Sequence, residues 1–441
     1  MPTPPRLRAV SFALFFALAA APAALAQNTF GFDPTGVYLD PSGVLRARKI
    51  DDGGKFIALL NRAAAKDEDK QLRYISLPKL FAEVRKHIDA GTPIPDDLKY
   101  LGGMTKLKYL FVRPDEKDLI LAGLAEPYDT KSADRPLGLH TGRPVLQLDD
   151  LVLALRTTGP GRAGQAFGCK IDMPKENMQK MMQKLAGMTG VVKQFPDQDG
   201  QVAKAMAQAA GEQQIDFLNL KADSRLAYVA VEADYLLKRM VIGLDKPPIK
   251  GVVTYLSTQT TPDPVSNRFW FEVSYEPLIA SADGNAFEIR GQSLKINTRQ
   301  HFTYAPGEDK EATPSAKQYA AHVTKHFERL SQAIPAFADL ANLSDLSLAA
   351  ALIGSDKLHD KAQWDMTWVL DEKGYEVAKV KVPTTAETLV NSKRTTRMVI
   401  FVGGGVLLSY GEVTGKREKD EGKLAASNKG TGGEVSVLVK P

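Results

Sequence analysis

The stretch DSRLAYVAVEADYLLKRMVI (residues 223–242) has the strongest helical pattern in the chain. Its apolar residues recur at spacings of three and four, which is typical of an amphipathic helix packed on a core. Asp223 is a suitable N-cap and Gly243 a suitable C-terminal stop, and Pro247 and Pro248 prevent the helix from continuing. The stretch therefore predicts a long helix that buries one face.

A second set of residues lies on another side of the same helix. Two Tyr stand between two Arg at alternating spacings of three and four, and residue types of this kind are enriched at binding hot spots. We therefore expect a binding surface here, formed by Arg225, Tyr228, Glu232, Tyr235 and Arg239. The alternative is an interdomain packing face with Arg–Glu ion pairs.

The chain on the N-terminal side of this helix divides by composition and pattern. Residues 27–123 suggest a small α/β unit, in which segments 107–112 and 118–122 are paired strands around the turn Pro114-Asp115-Glu116. Residues 124–145 are rich in Pro and Gly and suggest a linker. Residues 146–244 then suggest a helix-rich α/β unit, in which Asp149 or Asp150 caps the first helix.

On the C-terminal side, the pattern changes to strands and then to helices. Residues 245–267 suggest a second linker, and residues 268–412 a unit with antiparallel strands at 269–276 and 286–296. Long helices are expected over 315–353, with Pro335 at a kink or a junction. Residues 413–441 suggest a mobile tail with a possible last strand. The expected fold class is α+β, with a small N-terminal α/β unit and a larger α+β region.

Residues 1–26 have the pattern of a secretory signal peptide. A basic start at Arg6 and Arg8 precedes a short apolar run that ends in Ala24-Leu25-Ala26. Removal of this segment lowers the formal net charge from +5 to +3. So balanced a charge argues against nucleic acid as a partner. We expect an exported, periplasmic or extracellular protein with no membrane span in the mature chain.

Two residues are candidate nucleophiles. Cys169 is the single cysteine, and it lies in an alternating pattern typical of a half-buried strand, so a buried core thiol is the favoured interpretation. Ser76 begins an S-x-x-K pattern that resembles the nucleophile motif of penicillin-binding enzymes, but the companion motifs S-D-N and K-T-G are missing. Ser76 is also well placed to cap the helix that contains Pro78.

Three further patterns suggest binding. His322 and His326 stand at i, i+4 on a predicted helix, where they could share a metal ion or form a partly buried pair without one. Trp270 could stack on a sugar or peptide, although Glu272 and Glu276 would lie about 13 Å apart, too far for a glycosidase pair. The G-x-G-x-x-G match at 159–164 follows a helix and precedes a strand, which favours a loop over a dinucleotide site.

Several local strings, taken in order, resemble the exported bacterial proteins grouped as domain of unknown function 1598. The resemblance covers residues 36 to 410 and implies compartment and architecture, but no activity and no catalytic residues. The strings are GVYLDPSGVLR (36–46), ISLPKL (75–80), TGRP (141–144), LDDLVLALR (148–156), EADYLLK (232–238), YEPL (275–278) and GGGV (403–406).

The sequence as a whole predicts a non-enzymatic binding or scaffolding protein of the cell envelope. Its partner would be an unknown protein or an envelope polymer, and no cofactor and no metal are expected. The alternative is a hydrolase acting on envelope polymers, with Cys169 or Ser76 as nucleophile.

Overall fold

A computed structural model describes residues 35–49, 71–131, 135–194, 200–260, 267–300, 310–393 and 398–430. The predicted signal peptide, residues 1–26, lies outside the described residues. The described part of the chain combines 14 helices with mixed sheets, which confirms the α+β class.

The strands alternate along the chain with the helices. In chain order they are β1 (Thr35–Leu39), β2 (Val44–Lys49), β3 (Gln71–Ser76), β4 (Met104–Arg113), β5 (Asp118–Ala125), β6 (Tyr128–Asp129), β7 (Leu137–Gly138), β8 (Phe167–Asp172), β9 (Glu212–Leu218), β10 (Asn267–Ser274), β11 (Leu278–Ala280), β12 (Ala286–Glu288), β13 (Ser293–Gln300), β14 (Lys310–Glu311), β15 (Thr385–Glu387), β16 (Asn391–Lys393), β17 (Met398–Ile400), β18 (Val402–Gly403), β19 (Val406–Leu408) and β20 (Arg417–Lys419).

The helices range from single turns to the long core helices. They are α1 (Leu77–Asp89), α2 (Asp96–Lys99), α3 (Leu148–Thr158), α4 (Lys175–Gln194), α5 (Gln201–Ala210), α6 (Arg225–Val241), α7 (Tyr255–Thr258), α8 (Pro314–Lys325), α9 (Phe327–Ala333), α10 (Pro335–Ser355), α11 (Leu358–Lys361), α12 (Thr367–Leu370), α13 (Gly411–Gly415) and α14 (Lys423–Gly430).

Two large sheets contain sixteen of these strands, and β6–β7 and β16–β17 form two small two-stranded sheets. The ten-stranded sheet has the order β1-β2-β15-β9-β8-β19-β10-β13-β14, with β18 beside β10. The six-stranded sheet has the order β20-β11-β12-β4-β5-β3. Strands from all three units predicted from the sequence lie in the larger sheet, because a strand finds its hydrogen-bonding partners in space and not along the chain.

Helix α10 forms the centre of the core. It is long and apolar enough to cross a membrane, and its 18-residue apolar stretch is entirely buried inside the protein, as the core helix of a globular fold can be. It packs against α3 and α6 and against both sheets, through β4 and β13. Among its buried polar side chains, Asp345 accepts from Ser293 Oγ at 2.6 Å and from Tyr275 OH at 2.8 Å.

The two faces of the ten-stranded sheet differ. On one face, Phe269 and Phe271 of β10 are buried and pack on Tyr319 of α8 and Phe337 of α10. The neighbouring Cys169 is 5% exposed on the same face. On the other face the alternate residues are half-buried or exposed. This alternation, which the sequence of β10 predicted, separates a covered face from an open one.

Several local expectations differ from the structure. Ser224, not Asp223, caps α6, since its side chain accepts from Ala227 N. Neither Asp149 nor Asp150 caps α3, because both lie inside its first turn. The strand predicted over 286–296 is two strands, β12 and β13, which belong to different sheets. The chain turns between them, where Gly291 has a φ of 97° that favours glycine.

Other local expectations agree with the structure, and the segments predicted as a linker and as a tail contain short strands. Strands β4 and β5 pair antiparallel around the predicted turn. Pro335 begins α10 and separates it from α9, as a helix junction. The predicted linker at 124–145 contains the short pair β6–β7. In the predicted tail, β20 pairs in parallel with β11, and residues 431–441 lie outside the described residues.

Candidate binding cleft

The structure places the predicted stripe of α6 inside the protein. Arg225 donates to Asp150 of α3 and, at 2.5 Å, to Asp339 of α10. Glu232 accepts from Arg135 at 2.6 Å, and Arg135 also donates to Asp339 at 2.9 Å. The three carboxylate side chains are between 2% and 7% exposed, so these five residues form a buried ion-pair network.

The pKa values in this network follow from burial and charge. Burial raises the pKa of Asp150 to about 7, and Asp339 and Asp149 add to this rise, while Arg225 opposes it. Arg225 has a raised pKa although burial opposes its charge, because Asp150 and Asp339 stabilise the guanidinium. The network joins α6 to α3 and α10.

The remaining stripe residues also have internal contacts. Tyr235 is buried and donates to Glu387, and burial followed by the charge of Glu387 raises its pKa. Arg239 donates twice to Asp245, at 2.8 and 2.9 Å. Tyr228 packs half-buried on the core. The stripe thus matches its alternative interpretation as a packing face, and it offers little surface to a macromolecular partner.

Cys169 is a buried thiol on β8. Burial raises its pKa, and the nearby charge of Asp234 raises it further, while Lys238 opposes the rise. A nucleophilic thiolate requires the opposite, a pKa lowered by a cation, a metal or a helix N-terminus. The environment of Cys169 therefore disfavours nucleophilic chemistry.

Ser76 is also buried, with 0% of its surface exposed. Its Oγ donates to Asp118 at 2.6 Å and accepts from Lys79 N at 3.3 Å. The hydroxyl thus caps α1, whose first turn contains Pro78, as the sequence suggested. Lys79 Nζ lies 3.5 Å from Asp118 and its side chain is 54% exposed, so this S-x-x-K pattern serves the helix start.

The two histidines are adjacent, with ring centroids 4.7 Å apart. His322 Nε2 lies 2.9 Å from the carbonyl oxygen of Gly251. Burial, followed by the charge of His322, lowers the pKa of His326. Within the described ranges, no group of three or more His, Cys, Asp or Glu side chains is placed to hold a metal ion.

Segment 403–406 crosses α6 at very close range. A Cβ on Gly404 would lie 2.2 Å from Asp234 Oδ1 and 2.3 Å from Lys238 Cε. Gly405 has a φ of 152°, and its N–H donates to Asp234 Oδ1 at 2.6 Å. The fold thus brings together the strings EADYLLK and GGGV, which lie far apart in sequence. Only glycine therefore fits at positions 404 and 405.

A cleft of about 360 Å³ lies beside this glycine segment. Backbone and side chains of β8, β9, β10, β13 and β19 line it, and its volume is in the lower part of the range of small-molecule pockets, roughly 300–1,000 Å³. The lining residues are Gly168, Cys169, Lys170, Asp216, Phe217, Leu218, Arg268, Trp270, Arg299, Gln300, Gly404, Gly405, Val406 and Leu407.

The apolar part of the cleft includes two leucines that are exposed for their type, Leu218 at 48% and Leu407 at 40%. Trp270 is half-buried and lines the same cleft as these leucines and the cationic residues Arg268 and Arg299. Its indole nitrogen is shielded and has no hydrogen-bond partner in the part of the chain that the structure describes. The surface that Trp270 presents is therefore mainly ring carbon, which suits apolar or stacking contacts.

The polar part of the cleft is mainly cationic. Among the residues that the structure describes, Lys170, Arg268 and Arg299 line it, together with the carboxylate of Asp216. Arg268 also donates to Asp172, whose carboxylate lies 3.1 Å from Lys170 Nζ.

Of the residues predicted to bind a partner, only Trp270 lines this cleft, and Cys169, predicted as a candidate nucleophile, is also part of its wall. Leu218, Leu407 and Arg299 lie on separate strands, and only the pairing of β9, β8, β19, β10 and β13 brings them together. The sequence of β10 does indicate that Arg268, Trp270 and Glu272 share one face of the strand, because they alternate with the buried phenylalanines. The strand register cannot be obtained from that pattern.

The fold is thus an α+β protein with a cleft on the open face of its larger sheet. Residues 169–255 match the family model described as Protein of unknown function (DUF1598), which confirms the resemblance found in the sequence over this segment. The matched segment runs from Cys169 in the cleft wall through α6 to the start of α7. No curated protein and no solved structure matches the chain significantly.

Proposed function

We propose that this is an exported, non-enzymatic binding protein of the cell envelope, and that the open-face cleft is its binding site. The observation that carries the proposal is the combination of Trp270, Leu218 and Leu407 in one concave, cation-lined space. An apolar pocket with a few polar groups is the usual form of a small-molecule site. The proposed ligand is therefore a small organic molecule or a short segment of an envelope polymer.

The export part of the proposal is supported by the signal-peptide pattern of residues 1–26. Expression with this segment should give a periplasmic or secreted chain that begins after Ala26. Cell fractionation and N-terminal sequencing check this directly. A chain that remains in the cytoplasm with Met1 in place would contradict export.

A hydrolase is the less favoured function. The hydroxyl of Ser76 is fully buried and donates a hydrogen bond to Asp118, and the environment of Cys169 opposes the thiolate. An electrophilic probe should therefore label neither residue in the folded protein. Labelling that disappears in Cys169→Ser or Ser76→Ala would favour the hydrolase instead.

Binding is tested with the neutral probe N-phenyl-1-naphthylamine, followed by energy transfer from tryptophan. We expect saturable binding by the wild-type chain and about tenfold weaker binding by Leu407→Ser, since burial of a leucine contributes about 1.5–3 kcal/mol. Val253→Ser is the matched control, because Val253 is 47% exposed and does not line the cleft. Equal binding by wild type and Leu407→Ser would contradict the proposed site.

A further inference from the structure

We infer that His322 and His326 form a binding site for a divalent transition-metal ion, and that Cu²⁺ is the ion it binds most tightly. The sequence allows two interpretations of this pair, a shared metal ion or a pair without one, and the geometry of the rings favours the first. Neither histidine lines the open-face cleft, so this site is separate from the proposed ligand site.

The two imidazole rings are spaced as two rings on one metal ion are. A metal–nitrogen bond is about 2.0–2.1 Å long, and the centre of an imidazole ring lies about 1.2 Å behind its nitrogen. Two rings bound at an angle of about 90–110° therefore have their centres roughly 4.5–5.2 Å apart. The observed separation of the ring centroids, 4.7 Å, lies inside this range.

His322 is oriented by a hydrogen bond from outside its helix. Its Nε2 lies 2.9 Å from the carbonyl oxygen of Gly251, and because a carbonyl only accepts, Nε2 is the nitrogen that donates. In the neutral ring the lone pair is then on Nδ1, the nitrogen that remains for a metal. Metal-binding histidines commonly donate their other ring N–H to a backbone carbonyl, which fixes the tautomer and the ring orientation.

His326 supplies the second nitrogen. It is half-buried, and its ring makes no hydrogen bond to any residue that the structure describes. Both histidines lie at the C-terminal end of α8, where the helix dipole favours a cation. The charges of Lys325 and Arg329 oppose a cation here, but both residues are exposed, so solvent and salt screen them.

Two imidazoles leave part of the coordination sphere to water. Within the described ranges, no third His, Cys, Asp or Glu side chain joins the pair. A structural zinc site has four protein ligands, so this site suits an exchangeable ion. Imidazole binds Cu²⁺, Ni²⁺ and Zn²⁺, and Cu²⁺ binds most tightly among them. Mg²⁺ and Ca²⁺ prefer oxygen ligands and should not compete.

The test is a calorimetric titration of the purified, chelator-treated chain, without an affinity tag, with Cu²⁺ and separately with Ni²⁺. We expect Cu²⁺ to bind more tightly than Ni²⁺. His322→Asn and His326→Asn should each weaken Cu²⁺ binding by about tenfold or more, since loss of even an outer-shell partner costs about 10–100-fold. Electron paramagnetic resonance of bound Cu²⁺ should show coupling to two imidazole nitrogens in the wild type and to one in either variant.

His87→Asn is the matched control, because His87 also lies in the last turn of a helix, α1, and has no histidine three or four residues away. It should leave Cu²⁺ affinity unchanged. Melting temperatures without metal show that each variant is folded, and either folded variant decides the test. Unchanged Cu²⁺ affinity in a folded His322→Asn or His326→Asn chain would overturn the inference, and so would coupling to a single nitrogen in the wild type.

Discussion

Two regions of this molecule contain arginine beside aromatic residues and acids, and they have different roles. In the buried network, Arg225 and Arg135 share Asp339, and the arginine side chains are 14–16% exposed. In the cleft, Arg299 is exposed beside half-buried Trp270. The residue types are alike, but burial differs. A pattern of arginine and tyrosine therefore identifies a contact surface only when the fold leaves that surface open.

The largest expected effect tests the buried network. Asp339→Ala leaves Arg225 and Arg135 buried without their shared carboxylate, and should lower the free energy of unfolding by about 3–5 kcal/mol. Denaturant unfolding measures the change. Asp89→Ala is the control, because Asp89 is 66% exposed and its pair with Arg85 contributes about 0–1 kcal/mol. A similar small loss of unfolding free energy in both variants would mean that the buried network contributes no more to stability than an exposed ion pair.

The second-largest effect is expected in the glycine segment 403–406, which lies between the two regions. Gly404→Ala places a methyl group against Asp234 and Lys238, and overpacking of this kind costs about 1–3 kcal/mol. The melting temperature should fall accordingly. Gly415→Ala has open space around its added methyl group and serves as the control. An unchanged melting temperature in Gly404→Ala would show that the close crossing does not constrain the fold.

The ion pair between Glu328 and Arg143 is partly exposed, and the pH dependence of its contribution to stability extends the comparison between the buried and the exposed region. Burial opposes the charge of Glu328, but Arg143 at 2.6 Å and Lys106 outweigh it and lower the pKa from 4.5 to about 2. A lowered pKa in the folded state stabilises the protein above about pH 4.5, and this contribution is lost as the pH falls towards 2. Because the Glu328 side chain is 43% exposed, solvent screens the pair to about 1 kcal/mol or less.

Glu328→Gln should therefore be slightly less stable than the wild type at pH 7, and the difference should shrink below pH 4. Unfolding free energies at both pH values measure it. A difference that grows on acidification would contradict the sign of the pKa shift. Gln substitution preserves the shape of the side chain, so a packing defect would appear equally at both pH values.

The smallest effect on stability is expected in the cleft itself. Leu407→Ser removes an exposed side chain and should change the free energy of unfolding by no more than about 0.5 kcal/mol. Denaturant unfolding, beside the probe titration proposed above, separates stability from binding. A loss above about 2 kcal/mol would mean that Leu407 serves the fold and not a ligand.

Part of the fold was predictable because local patterns fix local structure. The apolar face of α6, the alternation of β10, the β4–β5 turn and the junction at Pro335 all depend on residues close in sequence. The pattern of α6 did not reveal whether its polar stripe was exposed. Asp150 and Asp339, the partners of Arg225, lie on other helices, and no local pattern places them there.

The sequence by itself determined the α+β class, the ends of several elements and the capping role of Ser76, because hydrogen bonds within a few residues decide them. Only the tertiary structure decided which arginines are buried and which line the cleft. It also decided why residue 404 is a glycine, since Asp234 and Lys238 approach the backbone there from a distant helix. Burial and strand register arise from contacts between distant segments, so the cleft becomes visible only after the sheet has formed.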